Sequence, residues 1–229
     1  MSVSVIIPAA GTGSRMRSSV SKQFLVVQGK PILMLTAERF QECEAVDEII
    51  IAAPGDQMAS INFLVKEFRL SKVVGVVAGG AHRQKSVTNA LRELPAHSSI
   101  TMVHDAVRPF IRKQVIIDSI TLAEEHGASV VAVRVKDTIK QAKSDGVILR
   151  TLDRKDLWAA QTPQTFKTTI LQEAYARAER DGFVGTDDAS LVERMQIAPA
   201  IVDGSYDNIK ITTPEDMELA ALIASRFVF

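Results

Sequence analysis

A single cysteine, Cys43, in 229 residues excludes an internal disulfide framework and fits a reducing compartment. Charge of one sign is missing as well. The 27 lysines and arginines balance 27 aspartates and glutamates, so no global field draws the chain to nucleic acid or to an anionic membrane. No run approaches the roughly 18 to 20 uncharged apolar residues of a membrane span. The opening Met1-Ser2-Val3-Ser4-Val5-Ile6-Ile7-Pro8 has no basic segment, and its apolar run is too short for a secretory leader. Internal repeats, low-complexity tracts and His/Cys/carboxylate spacings suited to zinc are absent too. A soluble cytoplasmic protein with no nucleic-acid or membrane partner is the expectation.

What is present is ordinary globular material, 46% hydrophobic and 24% charged, long enough to bury a sizeable core. Val3–Pro8, Glu48–Ala53, Val73–Ala78, Ile100–Val103 and Ser129–Val135 are short β-branched runs bounded by turn residues, which read as strands buried on both faces. Between them lie amphipathic stretches at Pro31–Gln41, Gln57–Phe68, Arg83–Leu94 and Lys113–His126. That alternation predicts one α/β domain over residues 1–229, a mostly parallel twisted sheet with helices on both faces.

Two later segments depart from the alternation. From Asp137 to Trp158 no helical period appears. Thr138–Ala142 and Val147–Thr151 flank Ser144-Asp145-Gly146, and Asp-Gly between alternating runs is a strong hairpin signal. The segment carries too little apolar surface for a core, so it is expected to project as an arm that packs on something else. At the far end Thr213, Pro214, Glu215 and Asp216 read as N-cap, first helical residue and acidic first turn of a terminal helix.

Chemistry concentrates in loops that follow strands. Pro8-Ala9-Ala10-Gly11-Thr12-Gly13-Ser14-Arg15-Met16 follows the first strand, where an open parallel sheet binds its ligands. Small residues let backbone N–H groups approach phosphate oxygens. The loop lacks the third glycine of a dinucleotide fingerprint and the Gly-Lys-Ser/Thr of a Walker loop. It also has no obvious ribose carboxylate about 20 residues on, which disfavours an oxidoreductase. Lys22 falls in the same long connection. Together with Arg15 it can neutralise charge on a phosphorus as it becomes five-coordinate. The bland alternative is a tight turn with a surface arginine and a solvated lysine.

At Pro8–Met16 and Lys22-Gln23-Phe24-Leu25 the chain resembles the nucleoside-diphosphate-sugar pyrophosphorylase-like transferases. Further motifs narrow the likeness to the 2-C-methyl-D-erythritol 4-phosphate cytidylyltransferases. They are Gly79–Val87, Val103–Phe110, Asp137-Thr138-Ile139, Arg154, Gln161-Thr162-Pro163-Gln164, Gly185–Ser190 and Asn208–Thr212, in order along nearly the whole chain. The resemblance implies a Rossmann-like nucleotidyltransferase fold and a magnesium-dependent reaction. In it CTP and methylerythritol phosphate give a CDP-polyol and pyrophosphate. It implies that Arg15 and Lys22 stabilise the transition state. Nucleotide-binding positions would be Pro8, Ala9, Ala10, Gly11, Thr12, Gly13, Gly79, Gly80, Arg83, Ser86, Asp105 and Ala106. Arg154 and Lys210 would position the second substrate, with Thr138, Thr162 and Thr186 adding hydroxyl contacts. It also implies a homodimer whose arms, at about 137–158, complete each other's sites. A ribitol-5-phosphate cytidylyltransferase shares most of these motifs, and a non-catalytic nucleotide sensor is disfavoured by the retained Arg15 and Lys22.

The residues read independently are compatible with this. Asp105, where a strand meets a loop, can accept hydrogen bonds from sugar or polyol hydroxyls, help hold a metal through water, or cap its turn with Arg108 as its partner. Magnesium is expected to ride mainly on the CTP phosphates. His104 beside Asp105 suggests acid–base work, but a phosphate nucleophile is already anionic near neutral pH and needs no base.

Overall fold

The computed structural model describes residues 1–11 and 22–227, with the Lys22 side chain left out. The loop residues Thr12, Gly13 and Arg15 lie outside the described residues. Seven strands form the main sheet: β1 (Val3–Pro8), β4 (Glu48–Ala53), β5 (Val73–Ala78), β6 (Ile100–Val103), β7 (Ala128–Arg134), β10 (Trp158–Lys167) and β11 (Ala200–Asp203). Their order is β11-β7-β10-β6-β1-β4-β5, and β10 alone runs antiparallel to its neighbours. Two small ribbons, β2 (Val26–Val27) with β3 (Lys30–Pro31) and β8 (Lys140–Ala142) with β9 (Ile148–Thr151), stand apart from it.

Strand alternation decides the layers, because successive side chains point to opposite faces. Val5, Ile7, Ile49 and Ile51 face α1 (Ile32–Gln41), α2 (Met58–Glu67) and α4 (Lys113–His126). Ile6 and Ile50 face α3 (Arg83–Arg92), α5 (Thr168–Arg180) and α6 (Asp188–Glu193). Both faces are therefore covered, as expected. α7 (Pro214–Ala224) closes a third cluster with Ile32, Val107, Phe110 and Ile211. Thr213 caps it with Asp216 in a reciprocal capping box, and Pro214 occupies the first turn.

Three expectations change. β5 is an edge strand, not one buried on both faces, and Val74 is 54% exposed. Composition alone does not separate an edge strand from a central one. The segment after the hairpin holds a short 3₁₀ turn at Arg154–Asp156, where Asp153 accepts from the Lys155 N–H. The third is β10, a central strand that hydrophobic patterning did not mark. Its Pro163 falls where the register with β7 jumps between Ala160 and Gln164, the irregularity at which a strand tolerates proline.

The hairpin forms around Asp145-Gly146, with Gly146 at φ +85° and the Asp145 carboxylate accepting from the Val147 N–H. Residues 141–150 are all exposed, Val147, Ile148 and Leu149 among them. Its root is tied down by the Lys136 ammonium over the Tyr206 ring and by Arg154, which donates to the Lys136 carbonyl.

Candidate active site

The chain winds outward from β1 through β4 to β5 and then crosses back to β6 on the other side of β1, so a crevice opens beyond the carboxyl ends of these strands. Ala9–Gly11 follows β1, Gly79–His82 follows β5, and His104–Arg108 follows β6. All three loops contribute to one cleft. The structure brings ten of the candidate residues together there: Pro8, Ala9, Ala10, Gly11, Gly80, Arg83, Ser86, Asp105, Ala106 and Lys210 line it. Gly79 lies just beneath. A Cβ there would stand 2.3 Å from the Ala10 Cβ, so only glycine lets these two loops meet.

The loop at the start of α3 is built from its own polar groups. The Ser86 hydroxyl accepts from the Gly80 N–H at 3.0 Å and donates to the His82 carbonyl at 3.1 Å. The His82 ring in turn accepts from the Lys85 N–H. This places Gly80 and Ser86 side by side in the cleft.

Charge gathers around Asp105. Asp105 accepts from Arg83 Nε at 3.2 Å, from Arg108 Nε at 3.3 Å and pairs with Lys210 Nζ at 2.9 Å. Burial alone would raise its pKa, but Arg83, Lys210 and Arg108 outweigh it and hold the carboxyl well below the usual range. Arg83 also forks onto Asp188 with contacts of 2.9 and 2.7 Å, and the Tyr175 hydroxyl donates to the same carboxylate. Three cations against two carboxylates leave this cluster one net positive charge, suited to an anionic ligand. Burial pushes the His104 imidazole down to about 4, so it is neutral near pH 7.

Other assigned residues lie elsewhere. Thr162 is buried behind Asp105, and its hydroxyl oxygen already accepts from the Asp105 N–H at 3.0 Å. That hydroxyl is committed within the protein rather than open to a substrate. Thr138, Arg154 and Thr186 are exposed, the first two at the root of the arm. Lys22 begins a 3₁₀ turn over Lys22–Phe24, and the next residue, Gln23, lines the cleft. The sequence reading missed Gln23, Asp188 and Tyr175. Asp188 had a signal in the pair Asp187-Asp188: one carboxylate caps α6, which leaves the other free to turn inward.

Comparison with known proteins agrees with this geometry. The family model described as IspD, 2-C-methyl-D-erythritol 4-phosphate cytidylyltransferase, matches residues 3–226. The chain is 49% identical over 221 residues to the enzyme of that name from Symbiobacterium thermophilum, covering 96% of this chain and 92% of the relative. It is 46% identical over 219 residues to that of Syntrophus aciditrophicus, covering 95% and 94%. Among solved structures it resembles the 4-diphosphocytidyl-2C-methyl-D-erythritol synthase of Anaerococcus prevotii with TM-score 0.87 at 29% identity, covering 98% of this chain and 96% of that one. The Thermus thermophilus 2-C-methyl-D-erythritol 4-phosphate cytidylyltransferase follows at TM-score 0.81 and 32% identity, covering 98% and 100%. With its three-loop cleft, cation-rich floor and full-length match, the chain belongs to the 2-C-methyl-D-erythritol 4-phosphate cytidylyltransferase family of nucleotidyltransferases.

Proposed function

We infer that the cleft beyond β1, β5 and β6 is where CTP and 2-C-methyl-D-erythritol 4-phosphate react to give 4-diphosphocytidyl-2-C-methyl-D-erythritol and pyrophosphate. The observation that carries this is the Asp105 cluster, in which one carboxylate, braced by Arg108, arranges Arg83 and Lys210 in the cleft. Gly80 and Ser86 read the cytosine edge. Backbone N–H groups of Ala10–Gly13, with Arg15 and Lys22, receive the triphosphate. Lys210 orients the polyol phosphate, whose oxygen attacks the α-phosphorus in line as pyrophosphate departs. Phosphoryl-type transfer depends on such positioning and charge stabilisation rather than on a protein base.

Asp105 is the one carboxylate among the described residues lining the cleft, and it is already shared by three cations. That donor set suits a magnesium ion held chiefly by nucleotide phosphates, which Asp105 would help hold through water. Such an ion would neutralise the departing pyrophosphate. The buried free thiol of Cys43 supports a reducing, cytoplasmic setting. No helix among the described residues is long and apolar enough to cross a membrane.

Measuring pyrophosphate release with CTP or UTP against methylerythritol phosphate or ribitol 5-phosphate tests the reading. CTP with methylerythritol phosphate is expected to win. UTP should fall behind by on the order of 10² or more in kcat/KM, because fixed donors and acceptors penalise a base with the reversed pattern. Equal values for CTP and UTP would refute base reading by the Gly79–Ser86 loop, and a preference for ribitol 5-phosphate would reassign the substrate.

The arm points to a homodimer. Its exposed Val147, Ile148 and Leu149 lack a covering layer in the single chain, and Thr138 and Arg154 sit at its root away from the cleft. Embracing a second copy would cover the apolar tip and bring Arg154 to that copy's Lys22 and Lys210. Arginine suits the task because its planar fork binds a phosphate bidentately. Complementation tests it. Inactive Lys22→Ala and Arg154→Ala proteins are dissociated, mixed and reassociated. If Arg154 acts across the interface, each mixed dimer has one intact site and activity returns. Mixed dimers shown to form without recovering activity would defeat the shared site.

A further inference from the structure

His104 has no acid–base task in this transfer, yet its ring sits directly behind the cleft and is fully buried. Its Nε2 lies 3.0 Å from the carbonyl oxygen of Arg108, and its Nδ1 lies 3.2 Å from Thr162 Oγ1. A carbonyl only accepts, so Nε2 carries the proton. A neutral imidazole has one N–H, which leaves Nδ1 an acceptor. The Thr162 oxygen accepts the Asp105 N–H, so its own hydrogen goes to Nδ1. Every donor has one acceptor, and the chain of bonds has one direction.

This chain joins both ends of the turn from Asp105 to Arg108. The other carbonyls of that turn are tied as well. Arg108 N–H donates to Asp105, the Thr36 hydroxyl to Ala106 at 3.0 Å, and Ile211 N–H to Val107 at 3.0 Å. Thr162 is itself anchored, since the Asn208 amide donates to its carbonyl. The His104 backbone N–H reaches Ile6 in the neighbouring strand β1. A turn held at all four carbonyls has little freedom, and it presents the Asp105 carboxylate on which Arg83, Arg108 and Lys210 converge.

We propose that His104, as its Nε2–H tautomer, and Thr162 form a positioning pair for cytidylyl transfer. They lock the 105–108 turn so that Asp105 and its three cations meet the substrates in one arrangement. Neither side chain touches substrate. The role rests on the function inferred above for this cleft. The competing account is that His104 is packing alone, since its ring meets Phe40 edge-on at 4.9 Å between centroids.

His104→Phe keeps a ring against Phe40 and removes both hydrogen bonds, while Thr162→Val keeps shape and removes the hydroxyl. Each is expected to lower kcat at saturating substrates about 10–100-fold in protein that stays folded at the assay temperature, the scale for sub-ångström misplacement of reacting groups. The double variant should fall no more than about 3-fold below the weaker single one, as for residues acting as a unit. Thr162→Ser, which restores the hydroxyl, should recover most of the loss. Nitrogen-15 NMR of the substrate-free wild-type protein should show His104 protonated at Nε2. Normal kcat in the folded single variants, multiplied losses in the double variant, or a proton at Nδ1 would overturn the proposal. If His104→Phe does not fold, the Thr162→Val and Thr162→Ser pair and the NMR tautomer decide it. A wild-type protein inactive with both substrates would overturn the parent reading and this role together, while the NMR would still read the hydrogen-bond chain.

Discussion

Asp188→Ala is expected to cost about 3–5 kcal/mol of folding stability, the scale for removing one partner of a buried ion pair. Asp188 is completely buried and receives both guanidinium arms of Arg83 and the Tyr175 hydroxyl. Its removal leaves three donor groups, the two guanidinium arms and the Tyr175 hydroxyl, without this acceptor. The neighbouring Asp187 makes a useful contrast. It caps α6 by accepting from the Ser190 N–H and also receives the Gln164 amide. Asp187→Ala is expected to cost about 1–2 kcal/mol, the usual loss for an N-cap with an added hydrogen bond. Urea unfolding of the two variants, with the midpoint shift read at constant m, measures both. Equal losses would mean that the Arg83–Asp188 fork carries no special weight. The same fork aims Arg83 into the cleft, so the Asp188 variant should also show a raised KM for CTP.

At the triphosphate the expected loss is of similar size but kinetic. Lys22→Ala and Arg15→Ala should each lower kcat by on the order of 10² to 10³ at saturating CTP and magnesium, the scale for one transition-state donor. Little change in stability should accompany it, because both are charged residues in the long connection that follows β1 in the sequence. Charge accumulates on the oxygens of the α-phosphorus as it becomes five-coordinate, so a cation there acts more strongly in the transition state than in the bound substrate. The KM for CTP should therefore rise less than kcat falls. Near-normal turnover in both variants would remove these residues from the chemistry.

Sequence alone determined the layers and pointed to the first loop of the cleft. Buried parallel strands are continuous β-branched runs, and α4 is read at its observed bounds, Lys113–His126, from its amphipathic period, while the structure shows Gly127 closing it in the left-handed conformation. The first loop of the cleft, Pro8–Met16, was legible because loops after strands carry the ligand contacts in this architecture. The Gly79–Val87 loop and Lys210 were singled out by the family resemblance, and only the structure shows how closely Gly79 meets Ala10.

Tertiary structure decided the rest. β10 carries polar residues and Pro163 through the middle of the sheet, and only its bulge against β7 explains why they fit. That bulge brings Thr162 to Asp105, which lies 57 residues earlier in the chain. Asp188 finds Arg83 across 105 residues, and Lys210 finds Asp105 from the far end of the chain. Local pattern records which face of an element is apolar, since that depends on nearest neighbours along one helix or strand. A buried polar side chain is satisfied by whatever the fold brings beside it, and that partner leaves no trace in the spacing around either residue.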